Sequence, residues 1–171
     1  MNRRVFISSP DYNVQYAFRT VGGILYFLQT NRTRYRRGER IRITFVKINV
    51  TNRPITLRYP TGQSVDFWIT RGGREVWRWS TGQFFTQAVR TVTLQPGEAQ
   101  TFTATWDQRI AGRVARSGVY RVFAWNLATR IPISVRIVIG QPSAQELPQL
   151  PGYLQSNVPG AQALEDDDFE E

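Results

Sequence analysis

Residues 59–88 read YPTGQSVDFWITRGGREVWRWSTGQFFTQA, the most informative segment of the chain for its architecture. Val65, Phe67 and Ile69 alternate with polar or bulky neighbours, the period of a strand with one buried face. Arg71-Gly72-Gly73-Arg74 follows as a turn, because paired glycines reach positive φ without steric cost. Val76, Trp77 and Trp79 then resume an apolar strand, so the segment reads as a β-hairpin. Thr61-Gly62-Gln63 precedes it and Thr81-Gly82-Gln83 follows it, placing a similar glycine-bearing bend at each end. In the simplest register Asp66 and Glu75 face each other across the hairpin, best read as a solvated pair or as carboxylates sharing an arginine.

Outward from this hairpin the strand period persists. Tyr12, Val14, Tyr16 and Phe18 fall at period two, and Ile24 to Leu28 follow Gly22-Gly23, which predicts an N-terminal hairpin. Ile41, Ile43 and Phe45 alternate, the apolar phase slips near Val46, and Ile48 and Val50 continue on the opposite parity, the pattern of a β-bulge. Ile55, Leu57 and Tyr59 begin another strand after Asn52-Arg53-Pro54. Gln95-Pro96-Gly97-Glu98 carries a type II turn signal. Phe102, Ala104 and Trp106 alternate next, then Tyr120, Val122 and Ala124, then Ile131 through Ile139. Eight to ten short strands without helical periodicity predict an all-β antiparallel sandwich.

Several separated positions in this order carry a family resemblance. Gly62-Gln63, Asp66-Phe67, Gly73, Glu75-Val76-Trp77-Arg78-Trp79-Ser80, Phe85-Thr86-Gln87-Ala88, Leu94, Pro96-Gly97-Glu98, Phe102, Trp106 and Gly118-x-Tyr120-x-Val122 together resemble the intracellular proteinase inhibitor family (BsuPI domain). The resemblance runs from about Tyr35 to Ile139. It implies an immunoglobulin-like β-sandwich and, for part of the family, binding to an intracellular serine protease of the subtilisin type. Within that pattern Asp66, Trp77, Trp79, Phe85, Gln87, Gly97, Phe102, Trp106, Gly118 and Tyr120 are structural positions. Tyr120 falls where a tyrosine corner belongs, so its hydroxyl is assigned to a backbone hydrogen bond.

Composition bounds the rest. A chain of 171 residues with 41% hydrophobic content supports one core, here organised as a strand or hairpin extension over 1–34, a sandwich over 35–140 and an acidic Pro/Gln-rich tail over 141–171. That tail lacks the apolar density to offset chain entropy and is expected to be flexible. No apolar run approaches the roughly 20 residues that span a bilayer, and Val5-Phe6-Ile7 is too short for a secretory signal, so a cytoplasmic protein is expected. There is no cysteine and no histidine, which removes disulfides, thiolate chemistry and the usual general base. Lys47 lies mid-strand with no serine motif around it, and the few carboxylates do not form an acid pair by spacing. Neither an enzyme nor a cofactor or metal site is expected.

Charge is split. Residues 1–140 hold all 22 basic side chains against six acids, +16, whereas 141–171 hold seven acids and no base, −7. Such polarity can drive a tail back onto its own body.

Three connections are candidates for meeting a protease. Ser80, Thr81, Gly82, Gln83 and Phe84 form the first, with Phe84 suited to a subtilisin-type cleft that accepts a large apolar side chain. Arg71, Gly72, Gly73 and Arg74 form a second. The third, Asp107 to Ser117, carries Arg109, Arg113 and Arg116 and reads more as a trypsin substrate than as a block. For each, an ordinary solvated loop is the competing account. Arg34, Arg36, Arg37 and Arg40, interleaved with Tyr35, are a candidate anion site in which the aromatic would stack bases, but no reading motif accompanies them and a nucleic-acid partner is not expected. The leading expectation is an inhibitor acting through loop-mediated binding to an intracellular serine protease. The alternatives are a non-inhibitory module that recruits another protein, and an arginine-rich anion binder masked by its own acidic tail.

Overall fold

A computed structural model describes residues 15–141. Thirteen strands and no helix lie within this range, as the all-β expectation requires. Ten of the strands have five or more residues. The other three, β3 (Arg34–Tyr35), β10 (Arg109–Ile110) and β11 (Arg113–Val114), have two each and leave no period to read.

One layer is the antiparallel sheet β1-β2-β4-β9, from β1 (Gln15–Val21), β2 (Ile24–Thr30), β4 (Ile41–Asn49) and β9 (Ala99–Trp106). The facing layer is β3-β13-β12-β6-β7, with β6 (Val65–Arg71), β7 (Arg74–Arg78), β12 (Gly118–Asn126) and β13 (Ile133–Ile139). All pairings are antiparallel except the short contact between β3 and β13. A separate two-stranded ribbon joins β5 (Ile55–Tyr59) to β8 (Arg90–Leu94). The N-terminal hairpin is part of the first layer, since β2 pairs with β1 on one side and β4 on the other. Its apolar parity faces outward: Ala17 is buried, Tyr16 stacks on Phe27 at 5.8 Å, and Phe18 stays 37% exposed. Tyr12, Val14 and the acidic tail lie outside the described residues.

Aromatic rings close the space between the layers. Phe45 of β4 meets Phe67 of β6 edge-on at 6.3 Å, and Trp106 of β9 lies 5.7 Å from Tyr120 of β12 and 6.3 Å from Trp77 of β7. Such pairs add to the 1.5–3 kcal/mol that burying a large apolar side chain contributes. Tyr120 donates to the Arg116 carbonyl at 2.7 Å, the geometry of a tyrosine corner. Trp68 and Trp125 instead lie with Phe123 on the outer face of the five-stranded sheet, their ring centroids 5.0 Å apart.

Two registers differ from those expected. No bulge interrupts β4 at Val46: its pairings with β2 and β9 are continuous, and the buried face that begins with Ile41, Ile43 and Phe45 continues through Lys47 and Asn49. The polarity pattern misleads because two polar side chains, Lys47 and Asn49, occupy core positions and are satisfied there by separate neighbours. Lys47, 0% exposed, donates to the Tyr59 hydroxyl at 2.5 Å; Tyr59 donates to Asn126 Oδ1 at 2.8 Å, and Asn126 donates to the Tyr26 hydroxyl at 3.0 Å. The Lys47 ammonium also rests over the Phe102 ring at 5.2 Å. Asn49 caps the neighbouring bend, donating to the carbonyls of Arg53 and Leu94. The irregularity sits instead between Ile69 and Thr70, so Glu75 pairs with Thr70 and not with Asp66.

Candidate functional site

The central hairpin carries its loop on a built foundation. Asp66, only 5% exposed, accepts from the amides of Phe67 (2.9 Å) and Ser80 (3.3 Å), from Ser80 Oγ (2.9 Å) and from Arg78 Nη1 (2.7 Å). Arg78 also donates to both oxygens of Glu75 and lies over the Trp68 ring at 5.0 Å. Its bonds to Glu75 first and Asp66 second raise the guanidinium pKa above its ordinary range. The two carboxylates that do not pair across the hairpin are thus joined through one arginine.

Trp79 extends this base inward. Its amide bonds the Phe67 carbonyl at 2.9 Å, and its ring packs edge-on against Phe67 at 5.9 Å and against Phe85 at 6.0 Å. Between Trp79 and Phe85 the chain turns on itself: the Gln83 amide donates to the Ser80 carbonyl at 3.1 Å, Gly82 takes φ +78°, and Gln83 Nε2 returns to the Trp79 carbonyl at 2.7 Å. The far side is held by Gly62, whose amide donates to the Thr86 carbonyl at 2.8 Å. A side chain on Gly62 would collide with the Thr86 hydroxyl, so glycine is required here by close approach. The two Thr-Gly-Gln bends therefore serve one loop from opposite sides.

At the tip, Thr81, Gly82, Gln83 and Phe84 are exposed, and Phe84 is 100% exposed. A fully solvated phenylalanine between anchored flanks is an apolar group held outward at a fixed place. Gln87 follows, donating to the Phe85 carbonyl at 3.0 Å.

The Arg71–Arg74 turn lies at the other end of the sandwich. Arg71 donates to the Ser117 carbonyl at 2.8 Å and covers the Tyr120 ring, while Gly72, Gly73 and Arg74 are exposed. Asp107 to Ser117 is folded as the small β10–β11 hairpin. The arginine cluster is close by: Arg34, Arg36 and Arg37 line an open cleft of about 810 Å³ with Arg32, Glu39 and Gly140, whereas Arg40 is exposed outside that lining. Tyr35 is 3% exposed, with its hydroxyl bonded to Asn31, so its ring is not available for a base to stack on. Gln108 is the residue that sequence reasoning missed. Wholly buried, it accepts from the Gly38 amide at 2.8 Å and donates to the carbonyls of Arg36 and Glu39 at 2.9 and 2.7 Å. A lone glutamine in a polar loop gives no periodic signal of burial.

Among the described residues no cluster of acids forms a metal site, and no helix is long and apolar enough to cross a membrane. The intracellular proteinase inhibitor family, BsuPI, matches residues 28–131, a span that holds β3 to β12 and all three candidate loops. The chain belongs to the BsuPI family. That membership supports a proteinase inhibitor-like role and a protease as the general kind of partner. None of the curated proteins matches the chain.

Solved structures with a similar course are distant. They include a β-glucosidase from Erythrobacter marinus (16% identity, 74% of this chain and 16% of that one, TM-score 0.42). A DNA-bound alkylpurine DNA glycosylase from Pseudomonas fluorescens shares 17% identity over 76% of this chain and 31% of its own, TM-score 0.41. A sporulation control protein from Bacillus subtilis shares 18% over 71% and 51%, TM-score 0.41. The chain thus spans about half or less of these proteins.

Proposed function

We propose that this BsuPI-family protein inhibits an intracellular serine protease of the subtilisin type, using the Ser80–Phe84 loop as the contact and Phe84 as the side chain that enters an apolar pocket of the cleft. The carrying observation is the full exposure of Phe84 between flanks anchored at Asp66, Phe67 and Gly62. A loop already held in one shape loses little entropy on docking, and the buried ring supplies the apolar contact. The experiment is a titration of subtilisin-type protease activity with the full chain. Phe84→Ala removes a ring worth roughly 2–3 kcal/mol on burial and is expected to weaken inhibition about 30- to 150-fold. Arg74→Ala at the opposite end is expected to leave it unchanged. Unaltered protease activity with excess wild-type protein refutes the inhibitory reading, and loss through Arg74→Ala in place of Phe84→Ala moves the contact to the other turn.

The half-exposed Trp68, Phe123 and Trp125 on the outer sheet face support a second reading, a non-inhibitory module that recruits another protein. The buried indole N–H of Trp125 has no hydrogen-bond partner among the described residues. A pull-down that returns non-protease partners, and loses them on Trp68→Ala, favours that reading.

A further inference from the structure

We propose that the arginine cleft at the Gly140 end is an anion-binding site whose occupant is the chain's own acidic segment 165–171. It lies at the opposite end of the sandwich from Phe84 and is independent of the inhibitory reading: β6 starts beside the Phe84 loop and finishes where Arg71 meets Ser117.

The cleft has a rigid floor. Buried Gln108 fixes the turn from Arg36 to Glu39 through three hydrogen bonds, and Arg37 Nε donates to the Ala115 carbonyl at 3.1 Å. Arg32 is neutralised by Glu39 at 2.6 Å. Arg34 and Arg36 project from this floor exposed; Glu39 accepts from the Arg36 amide at 2.9 Å, but no carboxylate among the described residues forms an ion pair with either guanidinium. Guanidinium groups placed in this way match carboxylates bidentately.

The occupant follows from where the chain leaves the fold. Ile139 pairs with Tyr35, the Gly140 amide donates to the Tyr35 carbonyl at 2.8 Å, and Gly140 itself lines the cleft. The C-terminal segment therefore departs from the cleft wall. Between it and Glu165 lie 24 residues with a single charge, Glu146, and then six acids within Glu165–Glu171. A coil of 24 residues has an r.m.s. span of about 25–30 Å, so a linker of coil dimensions would return the acids to the cleft at an effective concentration on the order of millimolar.

The absence of cysteine makes a direct test available. Ala163→Cys in the full chain takes one nitroxide spin label, and amide signals are recorded at low salt. Beyond the tail that carries the label, the expected result is loss of intensity centred on residues 34–39 and Gly140. The signals should recover in 0.5 M salt, in Arg34→Gln/Arg36→Gln, and when Glu165, Asp166, Asp167, Asp168, Glu170 and Glu171 are changed to their amides. No loss, loss that persists with the amide tail, or loss centred on another basic surface such as Arg58 overturns the proposal. So does loss seen only when labelled and unlabelled chains are mixed, which makes the occupant a second copy. Shifts of the same amides by a single-stranded oligonucleotide, with none from the tail, assign the cleft to an external anion and overturn it equally.

Discussion

Lys47 offers the sharpest test of the interior. It is wholly buried, its ammonium donates to Tyr59, and no carboxylate takes part in the network that continues through Asn126 to Tyr26. Burial, with Arg90 as a smaller like-charge contribution, lowers its pKa from 10.5 to about 8. Below pH 8 both folded and unfolded chains hold the proton, and the fold carries the full cost of a buried charge. Between pH 8 and 10.5 the folded chain releases its proton first, the unfolded chain binds more, and stability rises with pH. At 1.36 kcal/mol per pH unit the complete gain is roughly 3 kcal/mol.

Tyr59 opposes this at higher pH. Burial, aided by Tyr26, raises it to about 12, so stability present below pH 10 is lost as the pH climbs from 10 to 12. Tyr35, raised mainly by burial, acts in the same direction. Urea unfolding of the wild type should therefore show a rise from pH 8 to a maximum near pH 10. Lys47→Met removes the titrating group and keeps most of the volume. It loses one hydrogen bond worth about 1 kcal/mol, yet should be about 1–2 kcal/mol more stable at pH 7, with no rise between pH 8 and 10. A flat or falling wild-type profile over that interval, or a Met variant that keeps the rise, would show that Lys47 is not the group responsible.

The cleft floor and the sheet corner yield two further expectations. Gln108→Ala removes the side-chain partner of the Gly38 amide and the Glu39 carbonyl and leaves the Arg36 carbonyl with the Glu39 amide; it should cost about 2–4 kcal/mol in urea unfolding, with the Gly38 amide losing its protection from hydrogen exchange. An unchanged exchange rate at Gly38 contradicts that role. Tyr120→Phe deletes the bond to the Arg116 carbonyl and should cost about 1 kcal/mol, whereas a neutral result removes the tyrosine corner as a contributor.

Period-two alternation made most of the sandwich legible. Ile133 to Ile139 and the run around Tyr120 place their side chains as the pattern requires, and the two glycines after Arg71 mark the central turn correctly. The pattern failed where chemistry overrides hydropathy. Lys47 and Asn49 sit inside because neighbouring groups satisfy them, while Val46, Ile48, Tyr16 and Phe18 occupy the opposite face. A one-residue error of parity reverses the face of every side chain beyond it, which is how a regular strand came to resemble a bulged one. The candidate loop could be read from Phe84 beside the family's aromatic pattern. Its anchoring could not, because Asp66, Arg78 and Ser80 meet only through a register shift that no local motif announces. Gln108 and the cleft depend on contacts about 70 residues apart in sequence, beyond the reach of any spacing rule.

The loop's position in the chain, between β7 and β8, determines what would happen to the backbone if a protease cut it. A break after Phe84 separates β4 and β6 from β9 and β12, yet β4 is zipped to β9 and β6 to β12 along nearly their whole lengths. The new carboxyl end would stay tethered through Ser80 to Asp66, and the new amino end through Thr86 to Gly62. Hydrolysis would therefore liberate no fragment. The severed ends would remain side by side, and scission of that bond would gain little of the chain freedom that ordinarily drives proteolysis forward.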